Sequence, residues 1–366
     1  MKQGWEIKEF EDCLEKVVYT NKIQRKDFLE SGEYPIISQE QEFINGYWDN
    51  SEDLFKVKKP IVIFGDHTQV LKYVDFDFVL GADGVKILQP KSNIDPRFFY
   101  YFLQNINLGS LGYARHYRLL KEISVSIPKS LPEQQRIVAI LDEAFAAITK
   151  AKANAEQNLK NAKELFESYL QEVFENKCEG WEPKTLGDLC KVIAGQSPEG
   201  KFYNKDGKGL PFYQGKKDYG EKYIGEPSTW TTKITKEAEA HDILMSVRAP
   251  VGPINCATQK ICIGRGLAAI RGGTQINKEF LYLFLLNNEK KIIGNQGAVF
   301  NSINKNQIES IQLFLPPLKE QQTLVQKLEA LSSETKKLEA IYQQKINDLE
   351  ELKKSILQKA FSGELK

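Results

Sequence analysis

The sequence predicts an α+β protein: two mixed domains, each followed by a long helix, with the two domain-and-helix modules related by an internal pseudo-twofold repeat. Three observations predict it. The stretch Leu131-Pro132-Glu133-Gln134-Gln135-Arg136-Ile137-Val138 returns about 187 residues later as Leu318-Lys319-Glu320-Gln321-Gln322-Thr323-Leu324-Val325, and the ungapped match continues to Phe174 and Phe361. Both stretches carry apolar residues stepping by four and three, the pattern of a coiled-coil seam. The residues before each stretch also correspond, Gly4-Trp5-Glu6 with Gly180-Trp181-Glu182 and Tyr34-Pro35 with Leu210-Pro211.

In chain order, residues 1–128 form a first domain, 129–177 a first arm, 178–315 a second domain and 316–366 a second arm. Short apolar runs bounded by Gly and Pro predict strands at 60–64 and 76–80, and again at 242–247 and 267–270. Residues 96–105 and 278–288 predict one short apolar helix in each domain. Prolines at Pro128, Pro132, Pro316 and Pro317 mark a sharp start for each arm, where a missing N–H loses no helical bond. The second seam runs through Leu324, Leu328, Leu331, Thr335, Leu338, Tyr342, Lys345, Leu349, Leu352 and Ile356. Its equivalent is Ile137, Leu141, Ala144, Ile148, Ala151, Ala155, Asn158, Ala162, Leu165 and Tyr169. Large residues face small ones, so the arms should pair with each other, and Asn158 and Lys345 are expected to fix their register.

Composition narrows the function. The 366 residues carry 50 Lys+Arg against 49 Asp+Glu, with roughly −3 over residues 1–128 and roughly +4 over 178–317. No bulk basic excess of a non-specific nucleic-acid coat is present, so any DNA-binding cations must be gathered locally. The densest apolar window, Phe280–Leu286, falls far short of a membrane span, and the N-terminal residues lack an apolar signal core, which predicts a cytoplasmic protein. Cys13, Cys178, Cys190, Cys256 and Cys262 form no CxxC pair and read as reduced thiols.

Several motifs imitate catalytic signatures and fail chemically. Gly195-Gln196-Ser197-Pro198-Glu199-Gly200-Lys201 resembles a phosphate-binding loop, but Phe202 stands where a magnesium-binding hydroxyl is needed. Gly264-Arg265-Gly266 precedes strand-like residues where a dinucleotide site needs a helix, and reads as a tight turn. His67, His116 and His241 share no metal-ligand spacing, and no nucleophile elbow or Asn-Pro-Pro-aromatic tetrad occurs, so no metal and no catalytic residue is assigned.

What remains are basic, amide and aromatic clusters in loops. The densest holds Arg115, His116, Tyr117 and Arg118; its counterpart in the second domain holds Asn301, Asn304 and Lys305. Gln39, His67, Lys216, Lys217 and Arg248 are weaker candidates. Arg reads guanine and Asn reads adenine by paired hydrogen bonds, whereas Lys serves phosphates, so these are residue types a DNA reader needs.

The duplicated arms opening with Glu133-Gln134-Gln135 and Glu320-Gln321-Gln322, the Trp181-Glu182-Pro183-Lys184 opening and the Phe64-Gly65-Asp66-His67-Thr68 turn together resemble the specificity subunits of type I restriction-modification systems. Trp5-Glu6-Ile7-Lys8 departs by lacking the proline of the usual opening. The resemblance implies two target-recognition domains held apart by an antiparallel pair of helices, each reading half of a bipartite DNA site. It implies a non-catalytic subunit that docks two modification subunits, with restriction subunits as optional additions. S-adenosylmethionine would then reside in the modification subunit, ATP and Mg in the restriction subunit, and no cofactor in this chain. Glu133, Gln134, Gln135, Ile137, Leu141, Glu320, Gln321, Gln322, Leu324 and Leu328 become the expected residues for partner docking and helix pairing.

Two other readings compete: a coiled-coil scaffold that never touches DNA, and an ATPase built on Gly195–Lys201. Sequence-selective, salt-dependent duplex binding separates the first, and Phe202 argues against the second.

Overall fold

The computed structural model describes residues 4–82, 84–109, 112, 114–176, 179–292 and 302–365. The chain divides into two compact units, Met1–Glu156 with Gln343–Lys366, and Gln157–Tyr342. The division falls inside the two long helices, because each end of a helix packs into the globular core beside it.

The first unit contains β1 (Trp5–Glu9), β2 (Lys22–Ile23), β3 (Tyr34–Ile37), β4 (Gly46–Trp48), β5 (Leu54–Phe55), β6 (Ile61–Gly65), β7 (Leu71–Val74), β8 (Phe78–Gly81) and β9 (Val85–Leu88). Helices α1 (Pro96–Asn105) and α2 (Tyr117–Lys121), strand β10 (Ser124–Pro128) and the start of α3 (Leu131–Glu175) follow. Strands β7-β6-β9 form an antiparallel sheet, and β2-β8-β3-β4 form a mixed sheet in which β3 and β8 run parallel. The β6 run Ile-Val-Ile-Phe-Gly is buried along its whole length, which is why no alternation marks it in the sequence. Strands β1 and β10 close the domain as an antiparallel pair leading into α3.

The second unit contains β11 (Glu182–Thr185), α4 (Leu186–Leu189), β12 (Cys190–Ala194), β13 (Tyr203–Asn204), β14 (Leu210–Tyr213), β15 (Trp230–Thr231), β16 (Glu237–Ala238), β17 (Ile243–Ser246), β18 (Ile254–Cys256), β19 (Ile261–Ile263) and β20 (Leu267–Gly272). Helices α5 (Lys278–Ile292) and α6 (Lys305–Glu309), strand β21 (Gln312–Leu315) and the start of α7 (Leu318–Ser362) complete it. The plan is the same: β18-β17-β20 answers β7-β6-β9, the parallel pair β14/β19 answers β3/β8, and β11/β21 answers β1/β10.

Each α1-type helix is capped alike. Asp95 accepts from the backbone N–H groups of Arg97 and Phe98, both at 2.9 Å, and Asn277 from those of Glu279 and Phe280 at 2.9 and 3.1 Å. The buried faces of these helices meet the arms. In the first unit Phe98, Phe99 and Phe102 share a core with Ile137, Leu141, Phe145 and Ile148 of α3 and Leu357 and Ala360 of α7. In the second, Phe280 and Phe284 share one with Leu170 of α3 and Val325 and Leu328 of α7. The start of one helix meets the end of the other in both units, so the helices are antiparallel; Lys152 pairs with Glu350 across them.

The seam departs from the expected heptad line. Asn158 and Lys345 are exposed, as are Leu165, Leu338 and Leu352, so neither polar break fixes register. The buried line of α3 keeps Ile148, Ala155 and Ala162 of the expected seam and then steps from Tyr169 to Leu170. A straight helix with 3.6 residues per turn drifts by about 20° per heptad from a strict 3.5 repeat, and over three heptads the contact moves to the next position.

Cys13, Cys190, Cys256 and Cys262 are free and buried. Burial pushes the Cys13 and Cys256 thiols up to about 11 and that of Cys190 up to about 12. Cys178 lies outside the described residues.

Candidate nucleic-acid interface

In the first unit, three segments distant in sequence converge on the β6–β7 turn. The turn is closed by Gly65 N–H donating to Val70 O at 2.8 Å and Gln69 N–H to Gly65 O at 2.7 Å, with Gln69 at φ 59°. Asp66, 2% exposed, organises the site. Its N–H donates to Gly84 O at 2.7 Å, its carbonyl accepts from His116 N–H at 2.7 Å, and its Oδ1 accepts from Tyr117 N–H at 2.7 Å. Lys86 Nζ lies 3.9 Å from Asp66 Oδ2 and 5.3 Å from the centroid of the Tyr117 ring.

The third segment is the β3–β4 loop. Gln39 Oε1 accepts from His67 N–H at 3.1 Å, and Thr68 Oγ1 donates to Gln39 O at 2.5 Å. Gly84 lies at φ 87°, where any side chain is strained, and a Cβ there would also displace the Gln39 amide, whose Oε1 would stand 2.3 Å away. Lys72, 3% exposed, ties the same loop to β7, its Nζ donating to Glu42 O, to Phe43 O at 3.3 Å and to Asn45 Oδ1 at 3.1 Å. Burial lowers its pKa to about 8, against the raising effect of Glu40 and Glu42.

The second unit repeats this frame with different side chains. Val247 N–H donates to Gly266 O at 2.9 Å and Ile303 N–H to Val247 O at 3.0 Å, matching the bonds of Asp66 and His116. Ser246 Oγ braces the β17–β18 turn by sharing its one proton between Pro250 O at 2.9 Å and Arg248 O at 3.2 Å. Beside the turn lies a cavity of about 220 Å³ lined by Gln214, Lys216, Ser246, Arg248, Arg265 and Gly266. Three cations and an amide around one shallow concavity suit phosphates and guanine edges.

The expected site residues distribute as follows. Arg115 and Arg118 are exposed beside the first turn, and Lys216, Lys217 and Arg248 are exposed in the second unit. Gln39, His67 and Tyr117 are half-buried in the frame. His116 is 2% exposed, its Nδ1 3.1 Å from Asp66 O, and so belongs to the scaffold and not to a DNA-facing surface. Asn304 caps α6, accepting from Gln307 N–H at 3.0 Å, which commits its carbonyl oxygen. Lys305 sits 3.3 Å from Glu309, one turn along the same helix. Asn301 lies outside the described residues. Arg265 and Lys86 were missed; a glycine immediately before β9 and β20, at Gly84 and Gly266, was the available signal that these strand ends approach a loop.

The expected docking residues also divide. Gln135 and Gln322 are exposed. Glu133 pairs with Arg136 at 2.8 Å, and Glu320 accepts from Trp181 Nε1 at 3.0 Å. Ile137, Leu141 and Leu328 are buried in the cores already described, and Leu324 packs against one of them. Gln134 and Gln321 are fully buried and closed to a partner. Gln134 Oε1 accepts from Asp95 N–H at 2.7 Å, while Nε2 donates to Asn93 O at 3.1 Å and Pro128 O at 2.9 Å. Gln321 does the same with Asn277 N–H at 2.7 Å, Gln275 O at 3.1 Å and Pro316 O at 2.8 Å.

Two copies of one α+β frame, each presenting basic side chains around a braced turn and mounted on a long helix, make this a duplicated two-module protein. The family model of the type I restriction modification DNA specificity domain matches residues 2–158 and 178–351. The chain is 31% identical over 416 residues to a putative type I restriction enzyme MjaX specificity subunit of Methanocaldococcus jannaschii, covering 100% of this chain and 94% of the relative. It is 25% identical to the EcoR124I/EcoR124II specificity subunit of Escherichia coli, covering 86% and 83%. Among solved structures, a chain of a type I R-M system studied for complex assembly and conformational transition superposes with TM-score 0.80 at 25% identity, covering 100% and 99%. The HsdS subunit of Thermoanaerobacter tengcongensis shares the fold, with TM-score 0.65 at 24% identity and coverage of 100% and 98%. The chain belongs to the type I restriction-modification specificity family, and its function is that of a specificity subunit, the recognition of a DNA sequence. Among the described residues no helix is long and apolar enough to cross a membrane.

Proposed function

We propose that each basic face reads one half of a bipartite DNA target, and that the chain itself performs no bond chemistry. The observation that carries this reading is the repeated frame: the bonds joining Asp66 to Gly84 and His116 recur as those joining Val247 to Gly266 and Ile303. Equivalent frames holding different side chains, Arg115 and Arg118 in one and Lys216, Arg248 and Arg265 in the other, suit two different half-sites. Arginine would read guanine O6 and N7, and lysine would neutralise phosphates.

The internal repeat gives any partner that binds one module a second equivalent surface, so two modification subunits dock per chain. They supply S-adenosylmethionine and methyl transfer to adenine; restriction subunits, where present, supply ATP- and Mg-dependent translocation and cleavage. Each long helix has 45 residues and extends about 68 Å at 1.5 Å per residue, which bounds the spacing between half-sites. The test is to replace residues 1–128 with the first domain of another family member and map adenine methylation genome-wide. One half of the methylated sequence should change; a change in both halves, or in neither, refutes the reading.

A further inference from the structure

Each domain is seated on its long helix through the same buried side chain. We propose that Gln134 and Gln321 are positioning residues that hold each DNA-reading domain at a fixed angle on its own helix, so that the accepted half-site spacing is set at these two amides as well as by helix length. The inference rests on the bipartite reading above.

Three elements converge at the seat: the first turn of the long helix, the strand that leads into it, and the loop that opens the short apolar helix of the domain. In the first unit Gln134 joins all three, through its own place in α3, the Pro128 carbonyl at the end of β10, and Asn93 and Asp95 before α1. Gln321 makes the equivalent three bonds to Pro316, Gln275 and Asn277 in the second. Corresponding distances in the two copies agree to within 0.1 Å, although the domains around them share little sequence.

Apolar packing alone would not fix the angle, because it is non-directional and lets surfaces slide. A planar amide with both N–H groups and one lone pair engaged resists tilt in each direction, and its burial leaves no water to replace a broken bond. Small tilts matter at the DNA. A domain of this size gives a lever of about 20 Å, so a swing of about 10° moves its reading face about 3.5 Å, one base-pair step. Asp95 and Asn277, whose backbone N–H groups donate to the two amides, also cap α1 and α5 through their side-chain oxygens, which ties the seat to the helix that carries each domain core.

The experiment uses the full chain assembled with its modification subunit, and duplexes carrying both half-sites at the native spacing and one base pair shorter or longer. Initial rates of methyl transfer from labelled S-adenosylmethionine give the ratio of native to altered spacing. Gln134→Met and Gln321→Met keep side-chain length and lose all three bonds. Each should lower that ratio by about three- to tenfold, the factor equivalent to one net hydrogen bond of restraint. Ile137→Val, which trims the neighbouring core and spares the amide, should slow all spacings in proportion. An unchanged ratio in both Met variants overturns the inference. Should the Met variants not fold, Gln134→Asn, whose amide is one methylene too short to reach all partners, carries the same test with the same overturning result. A wild-type chain indifferent to spacing, or to the loss of one half-site, would instead overturn the bipartite reading, and this inference with it.

Discussion

Replacing Asp66 by Ala removes the carboxylate that fastens the 114–118 segment to the β6–β7 turn. The bond lost is Tyr117 N–H to Oδ1 at 2.7 Å, of the charge-assisted kind that contributes about 1.5–3 kcal/mol. The Lys86 contact at 3.9 Å adds little, since a side chain about one-third exposed is screened by solvent to at most about 0.5 kcal/mol. Tyr117 is half-buried, so water can reach its freed N–H and pull the total toward the lower end, about 2 kcal/mol. The two backbone bonds of Asp66 survive the substitution, which confines the damage to the docking of α2 and Arg115. Urea unfolding should show the midpoint falling with the slope unchanged. Duplexes altered in one half-site at a time should show the loss of affinity through a single half. Asp66→Asn, which keeps an acceptor, should recover more than half of the stability. A midpoint equal to wild type, or equal losses through both half-sites, would refute the role given to Asp66.

Arg115→Ala should weaken binding through the same half-site by about 1–3 kcal/mol if the contact is to a base, and equal losses on specific and random duplexes would assign it to phosphate. Arg248→Ala and Arg265→Ala should each reduce the slope of log affinity against log salt by about 1 if they meet phosphates, measured by titration in increasing NaCl; an unchanged slope places them off the backbone. Lys72 gives a pH signature. Its folded pKa of about 8 lies below the ordinary lysine value of 10.5, so between these the unfolded chain holds a proton that the folded one has shed. Stability from this group is therefore flat below about pH 8 and rises with pH toward 10.5. Urea midpoints across that window should show the rise in the wild type and lack it in Lys72→Met; parallel profiles would refute the assignment.

The long helices were legible because their signal is local: a repeated Glu-Gln-Gln opening, flanking prolines and unbroken apolar stepping. The strands β6, β8, β17 and β20 were legible as continuous apolar runs, the mark of burial on both faces. Strands of two residues such as β2, β5, β13 and β16 were not, since they exist only through partners supplied from elsewhere in the chain. At the interface, residue type pointed to Gln39, His67 and the 115–118 cluster, and folding brings these together. Composition could not distinguish His116, whose ring turns inward, from Arg115, which stays at the surface. Gln134 and Gln321 were misassigned for a related reason: a polar residue opening an amphipathic helix looks solvent-facing until the chain folds carbonyl groups over it.

The sealed thiols make the protein its own clock. With Cys178 changed to Ser, an alkylating reagent can modify Cys13 only when the first unit opens, and Cys190 or Cys256 only when the second does, because a thiol kept protonated inside a closed core does not react. Mass-resolved labelling over time would then report the breathing of each half of the molecule separately, with no probe attached, and would show whether DNA quiets one half before the other.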